Sequence, residues 1–106
     1  MLKQQVYVAA AQTRPCYRLV DCGSYPGLIE AAAGNSVSGE VWRVELPTLA
    51  RLDRIEGVAE GLYFRGPVEL EDPQLEESVE TYFYLLPTAG LPDCGNCWKA
   101  YRRRPR

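Results

Sequence analysis

Apolar residues in this chain follow two periods, and one stretch in the middle holds both. Val41, Trp42 and Val44 are β-branched or aromatic residues in a short run, which predicts a strand. Pro47 removes a backbone donor where a helix tolerates the loss best, in its first turn, so a helix is expected to begin there. Leu49, Leu52 and Ile55 then recur every third position and mark one helical face, and Gly57 can end the helix by taking the left-handed conformation at little cost. Glu56 is thereby placed at the helix C-terminus.

Before this stretch, the run Val6 to Ala11 reads as a strand or as a helix end passing into one, and Cys16 to Val20 as a second strand. Residues 21–27 form a turn-rich loop in which Gly23, Pro26 and Gly27 suit a tight connection. Tyr25, within it, is an amphipathic ring suited to a pocket wall or to packing inside the loop. Residues 28–33 fit either a short strand or a turn of helix. Val37 to Val44 alternates as a strand, with Gly39 a place where another backbone or a ligand can come close.

Beyond the helix, residues 62–70 and 78–85 predict a hairpin joined by an acidic loop, and Pro67 marks the first strand as an edge or as bulged. Val79, Thr81, Phe83 and Leu85 share one face of the second strand, opposite Glu80, Tyr82 and Tyr84.

Composition narrows the picture. A length of 106 residues bounds the chain to one core. With 46% apolar and 25% charged residues, and neither a membrane-length apolar run nor a secretory leader, a cytoplasmic globular protein without a membrane partner is expected. Five of the 12 basic residues, Lys99, Arg102, Arg103, Arg104 and Arg106, fall in the last eight positions. The expected division is therefore a domain over 1–90 and a cysteine-containing basic tail over 91–106, with the acids between Glu69 and Glu80 read as a solvated loop with flanking strand residues.

The chain has no histidine, which excludes Ser-His and Cys-His nucleophile pairs and every His-based metal site. Chemistry is left to carboxylates, thiols, phenols and lysines. Glu56 draws attention because the helix dipole disfavours an acid at that end. Asp53 one turn earlier, together with burial, would push its carboxyl upward toward the range useful for proton transfer, with Arg51 and Arg54 able to offset this. A solvated helix-end residue is the competing reading.

The string Leu52-Asp53-Arg54-Ile55-Glu56-Gly57-Val58, followed by Gly61-Leu62-Tyr63-Phe64-Arg65 and preceded by Gly39-Glu40-Val41-Trp42, resembles the gamma-glutamylcyclotransferase-like superfamily, which includes gamma-glutamylamine cyclotransferases and AIG2-like proteins. Thr13, Tyr17-Arg18-Leu19, Gly23 and Tyr25-Pro26-Gly27-Leu28 fit the same pattern in the same order. The resemblance implies an α+β fold, a small mixed or mainly antiparallel barrel-like sheet with short helices. It also implies cyclisation of a small gamma-glutamyl amine or peptide to 5-oxoproline, with release of the amine and no cofactor. Glu56 would be the general acid/base, with Tyr25, Gly27 and Tyr63 binding substrate. Members normally open with a strand ending in a tyrosine-glycine-threonine or tyrosine-glycine-serine loop that binds the gamma-glutamyl group. Met1-Leu2-Lys3 aligns just after that loop, so the implied alternatives are an upstream start or loss of half the substrate site. An unpaired sheet edge would then favour a homodimer.

Two other readings stand beside this one. A non-catalytic relative could act as a binding module. A small zinc- or nucleic-acid-binding protein could use Cys94, Cys97 and the arginine tail, because the Cys94-Gly95-Asn96-Cys97 spacing lets two thiolates meet one zinc. Cys16 and Cys22 lack that spacing, so no metal site is assigned, and the tail reads more simply as a solvated terminus than as a nucleic-acid contact.

Overall fold

A computed structural model describes residues 5–23 and 25–102. Strand β1 (Gln5–Thr13) lies antiparallel to β4 (Ser38–Val44), with a bulge between Tyr7 and Ala9, and its far end pairs with the short β6 (Leu70–Asp72). The second sheet runs β2 (Tyr17–Asp21), β3 (Pro26–Glu30), β7 (Glu80–Tyr84), β5 (Tyr63–Pro67). Its pairings are antiparallel except for one parallel contact, Leu28 with Phe83. The fold is α+β as expected, and among the described residues the two sheets do not join into a closed barrel.

The first ambiguous stretch resolves to strand, and the second is strand only as far as Glu30, after which residues 31–33 turn. Residues 6–11 belong to β1, and β3 begins at Pro26, inside the stretch read as loop, because Asp21 to Tyr17 supplies it with a full antiparallel partner. The predicted strand over 62–70 is cut at Pro67, which cannot donate to a ladder; β5 ends there as a sheet edge and the chain crosses to the other sheet as β6.

The helix, α1 (Leu46–Ile55), starts where Pro47 suggested. It stops in a hydrogen-bonded reversal: the Gly57 N–H donates to the Arg54 carbonyl at 3.2 Å and the Val58 N–H to the Asp53 carbonyl at 3.0 Å, with Gly57 at φ 73°. This pair of bonds satisfies carbonyls that a helix end otherwise leaves unpaired. A side chain at Gly57 would also sit 2.7 Å from Leu62 Cδ1.

The core is built on the β2 and β7 side. Tyr17, Leu19, Val37, Phe83 and Cys94 are buried together, with Tyr17 and Phe64 each stacked on Phe83 at 5.9 and 5.6 Å between ring centroids. The Tyr17 hydroxyl accepts from the Glu69 N–H at 2.9 Å, so its burial leaves no polar atom unpaired.

Residues 91–101, expected to behave as a tail, run along this core. The Asp21 N–H donates to the Pro92 carbonyl and the Cys94 N–H to the Leu19 carbonyl, both at 2.8 Å. Trp98 and Tyr101, on the single-turn α2 (Trp98–Arg102), pack against the core cluster, and the Tyr101 hydroxyl donates to Asp21 Oδ2 at 2.8 Å. The cluster Arg103 to Arg106 lies outside the described residues. No helix among the described residues is long and apolar enough to cross a membrane.

Candidate active site

A cavity of about 660 Å³ opens between the two sheets, bounded by α1 at one end. Its wall is mostly apolar, with Ala11, Leu19, Leu28, Val37, Val41, Val68 and Leu70 contributed by both sheets and their connections. The ionisable groups on it are three carboxylates, Glu40, Glu56 and Glu80, and three phenols, Tyr25, Tyr63 and Tyr82. An apolar concavity with a few convergent polar groups is the usual form of a small-molecule site.

Three of the four residues singled out from sequence meet there. Glu56, half-buried, is delivered by the last turn of α1, where its N–H still donates to the Leu52 carbonyl at 2.9 Å. Tyr63 stands on β5, donates to the Pro26 carbonyl at 3.2 Å and meets Tyr84 edge-on at 5.5 Å. Burial above all, with the neighbouring Cys22 and Glu56 adding to it, holds the Tyr63 phenol well above its ordinary range, so it is a neutral hydroxyl at physiological pH. Tyr25 is 45% exposed and sits at the mouth.

Gly27 is placed differently. It lies on β3 beneath Tyr84 and Cys22, where an added Cβ would come within 2.9 Å of Tyr84 Cγ and Cys22 Sγ, while its neighbour Pro26 lines the cavity. The glycine at this position lets the strand pass close under an aromatic ring.

One set of residues beside the cavity was not singled out as a unit. Arg65 on β5 donates to both oxygens of Asp53, Nε to Oδ1 at 2.9 Å and Nη2 to Oδ2 at 3.3 Å, and its Nη1 bonds Glu80 Oε1. The Tyr82 hydroxyl donates to Asp53 Oδ1 at 2.6 Å. The Asp53 carboxylate is engaged by Tyr82 and Arg65, which hold its pKa below the ordinary value. The cation that meets it is Arg65. Asp53 and Arg65 lie within the two quoted strings, but a pairing across twelve positions leaves no local periodicity to read.

The cysteines do not converge. All four thiols are free, Cys94 is in the core, and among the described residues no three cysteine, aspartate or glutamate side chains are grouped to hold a metal ion. Burial first, then the charges of Asp21 and Asp93, push the Cys94 thiol up to about 11.

The comparison with known families decides what this arrangement belongs to. Residues 1–100 match the family described as "Gamma-glutamyl cyclotransferase, AIG2-like". The chain belongs to that family. Among curated relatives, it is 51% identical over 47 residues to a Vibrio cholerae protein named "Putative gamma-glutamylcyclotransferase", an alignment covering 44% of this chain and 39% of that protein. It is 42% identical over 62 residues to an Arabidopsis thaliana protein of the same name, covering 56% of this chain and 33% of that one. These alignments thus span under half of the curated relatives' length. Two solved structures share the fold of this family member. A uropathogenic E. coli-specific protein superposes with TM-score 0.77 at 23% identity, over 96% of this chain and 80% of that one. The ytfP protein from Escherichia coli gives TM-score 0.73 at 28% identity, over 92% of this chain and 80% of its own.

Proposed function

We propose that this protein cyclises a small gamma-glutamyl amine or peptide to 5-oxoproline and a free amine, with Glu56 moving the protons. The observation that carries this reading is Glu56 on the wall of an apolar cavity beside Tyr63 and Tyr25, in a member of this family. The α-nitrogen of the substrate starts as an ammonium and must lose a proton to become a nucleophile. It attacks its own γ-carbonyl carbon, closes a five-membered ring and passes through a tetrahedral intermediate. The bond to the leaving nitrogen breaks as that nitrogen is protonated. Two protons move in all from the ring nitrogen to the departing amine, and one carboxylate can take and return each in turn.

The chemistry is intramolecular, so much of the acceleration comes from holding amine and carbonyl together, to which an apolar cavity contributes by excluding water. In this reading Tyr63, a neutral hydroxyl on the cavity wall, orients the substrate, and Tyr25, also on the wall, covers it. The carboxylates on the wall complement the ammonium group of the substrate. We place this action in the cytoplasm, where thiols stay reduced. We include a homodimer in this reading: β4 and β6 flank one sheet as edges, and Val6, Tyr7 and Trp42 are exposed on it.

The test is release of 5-oxoproline from a panel of gamma-glutamyl amines and gamma-glutamyl dipeptides. Turnover of at least one member of the panel is expected; no product from any of them would overturn the proposal.

A further inference from the structure

Helix α1 is held in an unusual way. Only Thr48 of its ten residues is fully buried; Leu49 and Leu52 are half-buried, and Leu46 and Ile55 are 78% and 68% exposed. A helix with so little apolar burial gains little positional constraint from its core-facing side. Yet its last turn has to present Glu56 to the cavity. Asp53, three residues earlier on the same turn, is a point at which the helix is fastened to the sheet by side-chain hydrogen bonds.

The fastening has directional geometry. Arg65 and Tyr82 are directly opposite each other on β5 and β7, so their side chains rise from one face of the hairpin and converge on Asp53. Arg65 meets it with two nitrogens of a planar fork, which fixes angle as well as distance. The third nitrogen reaches Glu80, so the guanidinium is itself braced from β7. The Asp53 carbonyl also accepts the Val58 N–H that closes the helix end, which couples the clamp to the turn on which Glu56 sits.

We infer that Asp53, Arg65 and Tyr82 form a clamp that sets the position of Glu56 over the cavity, acting on the reaction only through that residue. The inference rests on the reading of Glu56 as the proton-transfer group, and these three are positioning residues.

Asp53→Asn keeps the shape of the side chain and removes the charge that recruits Arg65. Amide hydrogen exchange at Glu56, Gly57 and Val58 is expected to speed up about tenfold or more in this variant, while exchange in the β2–β3 ladder stays as in the parent. On whichever gamma-glutamyl substrate turns over, kcat is expected to fall about tenfold or more with KM within about twofold, the signature of a lost transition-state arrangement. Asp53→Asn/Glu56→Gln is expected to be no slower than Glu56→Gln alone, because a residue acting through another adds nothing once that other is gone. Arg65→Lys, which keeps the charge and loses the fork, is expected to resemble Asp53→Asn and stands in for it should that variant fold poorly. Unchanged exchange at the helix end would overturn the clamp. So would a loss from Asp53→Asn that persists in the Glu56→Gln background. If the parent protein turns over no substrate, the proposed function falls, and the exchange measurement alone decides the clamp.

Discussion

The two faces of the β5–β7 hairpin are held by opposite means. On one, Phe64 and Phe83 sit opposite each other and Phe83 stacks in turn on buried Tyr17. On the other, Arg65 and Tyr82 reach across to Asp53, and Tyr63, Tyr82 and Glu80 look into the cavity. The first face is fixed at Phe83 by area removed from water, with Phe64 covering it from the half-exposed edge strand, and such burial is strong and tolerant of small shifts. The second is fixed by hydrogen bonds whose strength depends on angle, which places atoms tightly and contributes less to stability. One hairpin thus carries both the core and the frame of the candidate site.

The largest effect that separates the faces is expected from Phe83→Ala. Phe83 is 5% exposed and touches rings from two other strands, so its truncation should cost about 3–5 kcal/mol in a denaturant titration. A cost near that of a surface substitution would break the distinction. Gly57→Ala comes next. At φ 73° a side chain adds strain of about 1–2 kcal/mol, and because the helix end must move off Leu62, turnover should fall with it.

The core that Phe83 joins also predicts a pH dependence. Cys94 is held near 11 in the fold, against 9.0 without its surroundings, chiefly by burial. A thiol whose folded pKa is raised stabilises the fold below the unfolded value, and that contribution is lost as pH rises from about 9 through about 11. Thermal melts over this window should decline, and Cys94→Ala should flatten the early part of the decline; an unchanged slope would remove Cys94 as its cause. The smallest effect belongs to neither face. Arg43→Ala breaks a 2.6 Å pair with Glu77 whose side chains are 64% and 76% exposed, and stability should change by less than about 1 kcal/mol. Sedimentation at rising concentration checks the dimer, which a monomer at every concentration would refute.

Much of this frame was legible in the residues. Alternation over 79–85 assigned Phe83 to one face and Glu80 and Tyr82 to the other, and the structure keeps that division, because a strand offers its side chains no other choice. Pro47 and Gly57 bracketed α1, since each answers a backbone requirement that exists only at a helix end. What could not be read was set by partners distant in sequence. Pro26 looked like loop chemistry but pairs with Asp21 as the first residue of β3. Residues 91–101 looked like a tail because charge dominates their end, yet Cys94, Trp98 and Tyr101 bind them to the core. Within the candidate site, Glu56, Tyr25 and Tyr63 stood out through the quoted strings. The Asp53–Arg65–Tyr82 clamp did not, because its specificity lies in the angle at which three elements meet.

The central claim is that Glu56 moves the protons of the cyclisation. Its most direct test compares 5-oxoproline release by the parent protein and by Glu56→Gln on the same substrate, with the melting temperature of each recorded. An isosteric amide cannot shuttle protons, so the rate should fall about 10²–10⁴-fold with the melt unchanged. Equal rates in two equally folded proteins would contradict the claim.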